Sequence, residues 1–127
     1  MTTETPAAGP ERVELDPAAL ARLRDIDPDG RNGVLRRVLL VFEASLSHML
    51  VQLGAEREGG DAGVVASVAH TLKSSSASVG ALALSQTCAQ VEQRLRTGQA
   101  GSLTSDIEQM CLAGQAALEA VKAMLQS

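Results

Sequence analysis

The chain has 127 residues, a formal net charge of −4 and 45% apolar residues, enough for one domain around a single core and too apolar for global disorder. Phe42 is the only aromatic residue and no basic stripe runs along the chain, so base stacking and phosphate-backbone neutralisation have nothing to work with, and no nucleic-acid partner is expected. No stretch holds the roughly 18 uninterrupted apolar residues of a membrane span, and the first ten residues lack a basic start and an apolar run, so a cytoplasmic protein without membrane insertion is expected.

Residues 1–14 contain three Pro/Gly residues and no periodicity, and read as a flexible leader before a domain spanning 15–127. Asp16-Pro17 has the form of an N-cap followed by proline at the first helical position, and Leu20, Leu23 and Ile26 predict a short helix. The run Asp27-Pro28-Asp29-Gly30-Arg31-Asn32-Gly33 stops it. From Val34 to about Glu58, Leu35, Leu39, Phe42, Leu46, Met49 and Leu53 recur at spacings of three and four and predict a long helix, ended by Gly59-Gly60. Asp61 caps the next, in which Val65, Val68, Leu72, Ser75, Ser76 and Val79 share a face up to a stop at Gly80. Leu84, Cys88, Val91 and Leu95 form a fourth stripe, Gly98 and Gly101 bracket a turn, and Ile107, Cys111, Leu118, Val121 and Leu125 mark a last helix. With no period-two alternation, the expected fold is all-α: an antiparallel up-down four-helix bundle with a short additional N-terminal helix.

Cys88 and Cys111 lie 23 residues apart without metal-like spacing and read as reduced, space-filling helix residues; His48 and His70 are too isolated for a structural metal site. The informative helix is the third. Opposite its apolar stripe, Ala66, His70, Lys73, Ser74, Ala77 and Ala81 follow one another at spacings of three and four. A solvated helix face ordinarily carries long charged side chains, whereas this one is alanine and serine around one histidine and one lysine. Such a flat face lets another protein approach the imidazole closely. His48, out of phase with its helix's stripe, reads as an ordinary solvent-facing residue.

The stretch His70-Thr71-Leu72-Lys73-Ser74-Ser75-Ser76-Ala77-Ser78-Val79-Gly80-Ala81 resembles the signature of histidine-containing phosphotransfer (HPt) domains: histidine, an apolar residue two places on, lysine at +3, small residues at +4 to +6, and Gly-Ala at +10 and +11. The resemblance extends over about residues 16–125. It implies a four-helix bundle with the histidine exposed midway along one helix, and a phosphocarrier rather than an enzyme. His70 is then the phosphorylated residue, with Lys73 and Ser74 stabilising the phosphoryl group and Ala66, Ala77 and Ala81 forming the receiver-docking face. The partners implied are response-regulator receiver domains and a hybrid sensor histidine kinase, acting on a monomer. Ser74 stands where glycine is commonest in the family. Some members place a glutamine at the position matching Glu92; a glutamate there either orients the imidazole through its second N–H or makes a surface i,i+4 pair with Arg96. No Walker A loop, GxGxxG or acidic cluster is present, so no cofactor is expected, and magnesium is expected to arrive on the receiver. A helical docking module that carries no phosphate is the alternative reading of the same face.

Overall fold

The computed structural model describes residues 15–98 and 102–126, which form five helices and no strand: α1 (Pro17–Ile26), α2 (Val34–Ala55), α3 (Ala62–Val79), α4 (Leu82–Thr97) and α5 (Leu103–Gln126). The expected leader lies outside the described residues. Local chemistry accounts for most of the boundaries. The Asp16 carboxylate accepts the Ala19 amide at the start of α1, and Asp61 accepts the Gly63 amide at the start of α3, each satisfying an orphan donor. α2 has no side-chain cap of its own and begins behind Gly33 in a left-handed conformation. Its first amide is held from a distance instead: the buried Asp27 accepts from the backbone N–H groups of Asn32 and Val34. The residue that terminates α1 thus also starts α2.

α2 ends three residues before the expected Glu58. There the chain doubles back, so that a Cβ on Gly60 would run into the backbone of Glu56, and the Glu56 side chain accepts the Asp61 amide to close the turn.

The apolar stripes meet in one core. Leu39, Leu46 and Leu53 of α2, Val65, Leu72 and Val79 of α3, Leu84 and Val91 of α4, and Ile107, Met110 and Val121 of α5 are almost completely buried. The most extensive contact joins α3 to α4; α2 packs against both α3 and α5, α4 against α5, and α1 against α2 and α3. Arg36, in the first turn of α2, donates to the Leu125 carbonyl in the last turn of α5, and the Thr104 hydroxyl donates to the Arg57 carbonyl at the other end of the same pair. Gly114 lets α5 approach α2 closely, since a Cβ there would lie 2.7 Å from Leu50 Cδ2. α2 is apolar enough by length and composition to cross a membrane (mean hydropathy 1.5), yet Leu39, Leu46, Leu50 and Leu53 are buried in this core and Arg36, Arg37 and Glu43 interrupt it.

Two features had no counterpart in the apolar pattern. Asp106, in the first turn of α5, is buried and paired with Arg94 of α4 at 2.6 Å, a charge-assisted clamp between the last two helices. Met110 fills the core where spacing pointed to Cys111, which is only half-buried.

Candidate functional site

His70 lies midway along α3 with its side chain 70% exposed, held out by Val68, Ala69 and Leu72, which face the core on either side of it. α3 ends ten residues on at Gly80, and the chain returns at once as α4. That tight reversal fixes the register between the two helices. Counting outward from Ala81, His70 lies eleven residues before it and Glu92 eleven residues after it, so the two come face to face across the α3–α4 groove. Ser85 of α4 pins this register by donating to the Lys73 carbonyl at 2.8 Å.

Glu92 bridges the pair of residues that the motif singles out. Its Oε2 lies 2.7 Å from His70 Nδ1, and its Oε1 lies 2.7 Å from Lys73 Nζ. The carboxylate side chain is 17% exposed, so water competes weakly for it. The hydrogen bond from Lys73 and then that from His70 hold the Glu92 carboxyl below the usual carboxylate range. Glu92 is therefore ionised at neutral pH and accepts only, which places the hydrogen of a neutral imidazole on Nδ1 and leaves Nε2 with its lone pair. The bridge persists as pH falls and dissolves only in acid strong enough to protonate Glu92.

Glu92 thus lies against the imidazole Nδ1, and among the described residues no ion pair joins it to Arg96. Glu92 lies on the α3-facing flank of α4, each oxygen engaged by a donor from α3, while Arg96 is exposed one turn further along. Ser74 is exposed one turn beyond His70, and Ala66 and Ala77 are half-buried beside it, so the surface around the ring is low. Ala81 does not belong to that surface. Extrapolating the α3 phase fails at Gly80, whose left-handed backbone (φ 84°) ends the helix in a Schellman turn: the Gly80 amide bonds the Ala77 carbonyl, the Ala81 amide bonds the Ser76 carbonyl, and Ala81 turns inward to become fully buried. His48 is exposed on α2 and makes no hydrogen bond with the site. Below Glu92, burial first, and then the Glu92 charge, push the Cys88 thiol up to about 12, so Cys88 is a space-filling residue and no nucleophile. No cluster of metal-ligating side chains occurs among the described residues.

An exposed imidazole with Nδ1 committed and a cation one turn away is the arrangement of a nitrogen nucleophile for an anionic electrophile. The model of the Hpt domain family matches residues 37–127, and the chain belongs to that family. Its structure is similar to the crystal structure of histidine-containing phosphotransfer protein B (HptB) from Pseudomonas aeruginosa PAO1, with a TM-score of 0.74 and 27% sequence identity over 89% of this chain and 95% of that one. A comparison with curated protein sequences finds no match. Membership places the chain in histidine phosphotransfer within two-component phosphorelays, among phosphocarriers rather than kinases.

Proposed function

We propose that this protein relays phosphoryl groups through Nε2 of His70. A receiver domain presents its aspartyl phosphate; the Nε2 lone pair bonds to phosphorus as the bond to the aspartyl oxygen breaks, with its electron pair leaving on the carboxylate. A second receiver's aspartate later takes the group by the reverse chemistry. The observation that carries this reading is the exposed ring whose Nδ1 is committed to Glu92, leaving Nε2 as the open nucleophile. Phosphoryl transfer passes through a loose transition state that needs in-line positioning and charge stabilisation more than proton transfer. Lys73 supplies positive charge one turn from the ring, Ser74 a hydroxyl at the same level, and magnesium belongs to the receiver. In this reading α2–α5 are an up-down antiparallel four-helix bundle, and the chain works as a cytoplasmic monomer without membrane insertion, charged by a hybrid sensor kinase rather than by ATP.

Incubation with phosphorylated receiver domains should place phosphate on the chain in an acid-labile, alkali-stable linkage, as a phosphoramidate requires. Absence of transfer across a broad receiver panel, or an acid-stable linkage, would overturn the reading. The face that receivers would cover includes Ala66, Ser74 and Ala77. A long charged side chain there should obstruct a protein donor and spare a small one. Ala77→Arg is expected to slow transfer from receivers by about tenfold, some 1.4 kcal/mol of barrier, while uptake from phosphoramidate stays at the wild-type rate. Equal slowing with both donors would place the fault in the histidine rather than in docking.

A further inference from the structure

A carrier must release its phosphoryl group as readily as it takes it, and the leaving group decides this. A neutral phosphoimidazole would depart as imidazolate, which is a poor leaving group. Protonated on Nδ1, the same ring departs as neutral imidazole. The structure sets a full negative charge against that nitrogen: Glu92 Oε2 at 2.7 Å from Nδ1, on a carboxylate largely withdrawn from water. The other oxygen is engaged by Lys73 Nζ at 2.7 Å, which fixes the plane of the carboxylate and offsets its charge, so that an anion beside a phosphoryl site costs little.

We infer that Glu92 keeps Nδ1 protonated while His70 is phosphorylated and thereby sets the lability of the P–N bond at neutral and alkaline pH. This rests on the reading of His70 as the phosphorylated residue. On charging, the Nε2 lone pair forms the bond to phosphorus, Nδ1 retains its hydrogen, and the positive charge that the ring acquires lies against Glu92. On discharge, an oxygen of the acceptor carboxylate bonds to phosphorus, the P–N electron pair returns to Nε2, and the ring is again neutral with its hydrogen on Nδ1. When water is the acceptor, its proton passes to solvent and inorganic phosphate leaves. In neither direction must a proton enter or leave the ring. Glu92 touches neither phosphorus nor acceptor and is a positioning residue for the proton.

The charged groups at the ring are Glu92 from α4 and Lys73 from α3; among the described residues no acid or base of α1, α2 or α5 makes a hydrogen bond or ion pair with it. Glu92 also stays ionised well into acid, because its carboxyl lies below the usual range. Between pH 5 and 9, then, the proton on the phosphorylated ring is the variable, and Glu92 is the group that retains it.

Glu92→Gln keeps an acceptor for Nδ1–H, removes the charge and leaves one oxygen where the carboxylate offered two to His70 and Lys73. Wild-type and variant proteins phosphorylated with phosphoramidate can be followed by phosphorus NMR as they hydrolyse from about pH 5 to 9. At about pH 8 the Glu92→Gln phosphoprotein is expected to survive about tenfold longer, because the ring loses the charge that holds its proton. Toward pH 5, where solvent supplies the proton to both, the ratio should shrink to a constant. Glu92→Asp, which keeps the charge, should keep the wild-type profile shape and serves as the second variant if the glutamine protein fails to fold. Lifetimes in the same ratio at every pH, or no difference at all, would overturn the inference while leaving His70 as the carrier. Failure of the wild-type protein to take phosphoryl from phosphoramidate, or undiminished uptake by His70→Gln, would overturn the carrier reading and this inference with it.

Discussion

Replacing His70 with glutamine is expected to reduce phosphoryl uptake to background from both receivers and phosphoramidate, while changing stability by less than about 0.5 kcal/mol. The two halves of this expectation have separate causes. The His70 side chain is 70% exposed and contributes nothing to the core, and glutamine is a slightly better helix former than histidine, so the fold has no reason to notice the change. The glutamine amide can even preserve the bridge, because its N–H₂ group donates to Glu92 as Nδ1–H does. What it lacks is a basic nitrogen lone pair, since that of the amide nitrogen is delocalised into the carbonyl. Neither of the nearest alternatives replaces it: Cys88 is buried with its thiol pushed up to about 12, and Lys73 is bonded to Glu92. His48→Gln is the matching control on an exposed histidine of α2, and should take up phosphate at the wild-type rate. Labelling on gels kept at neutral or alkaline pH, with far-UV circular dichroism for the fold, reads both. Uptake that survives in His70→Gln would identify a different nucleophile, and full signalling without uptake would favour the docking-only alternative.

The helices were legible because their sequence signals are local. Asp16-Pro17 and Asp61 announce helix starts through the chemistry of orphan amides, Gly80 announces an end through a backbone angle few other residues tolerate, and the apolar periodicity in between names most of the core. What escaped depended on contacts between elements. Asp27 looks like a helix breaker in sequence, whereas its carboxylate closes the loop by binding amides five and seven residues ahead. Asp106 lies in the polar first turn of α5, and only the packing of α4 beside it turns it into a buried partner for Arg94. The Glu92–Arg96 spacing satisfies the helical pairing rule, yet two cross-helix partners with one donor each outcompete an exposed arginine. The Glu92–His70 contact did leave a trace: the two residues are equidistant from the Gly80-Ala81 reversal, which is arithmetic on the sequence once the turn is known to be tight. Helical phase alone does not contain it, and the same extrapolation of phase past Gly80 misplaced Ala81.

That reversal is also where a single substitution should do most damage to the fold. Gly80→Val is expected to cost about 3–4 kcal/mol, a large part of the roughly 5–15 kcal/mol that holds a domain of this size together. Part of the cost is intrinsic. The backbone at Gly80 has φ 84°, where a β-branched residue is strained by about 1–3 kcal/mol. The remainder comes from α1. A Cβ at Gly80 would lie 2.5 Å from the Asp16 amide nitrogen and 3.0 Å from its carbonyl oxygen, backbone atoms that cannot step aside as a side chain would. The Asp16 amide donates to the Gly80 carbonyl at 2.8 Å, so the clash also breaks the bond that fastens the start of α1 to the end of α3. Gly59 separates the two contributions: its φ is 64°, but nothing lies within 4 Å of an added Cβ, so Gly59→Ala should show the backbone strain alone, about 1 kcal/mol. Thermal unfolding by circular dichroism should therefore place Gly80→Val about 10 °C or more below wild type, with Gly59→Ala only a few degrees below it. Similar shifts for the two variants would mean that the α1 contact carries no weight. The consequence reaches the site as well. The Schellman turn at Gly80 fixes how α4 returns along α3, and Glu92 meets His70 only in that register. Measured below its melting temperature, Gly80→Val should hydrolyse its phosphohistidine with a pH profile displaced toward that of Glu92→Gln, although residue 80 lies ten positions along α3 from the histidine.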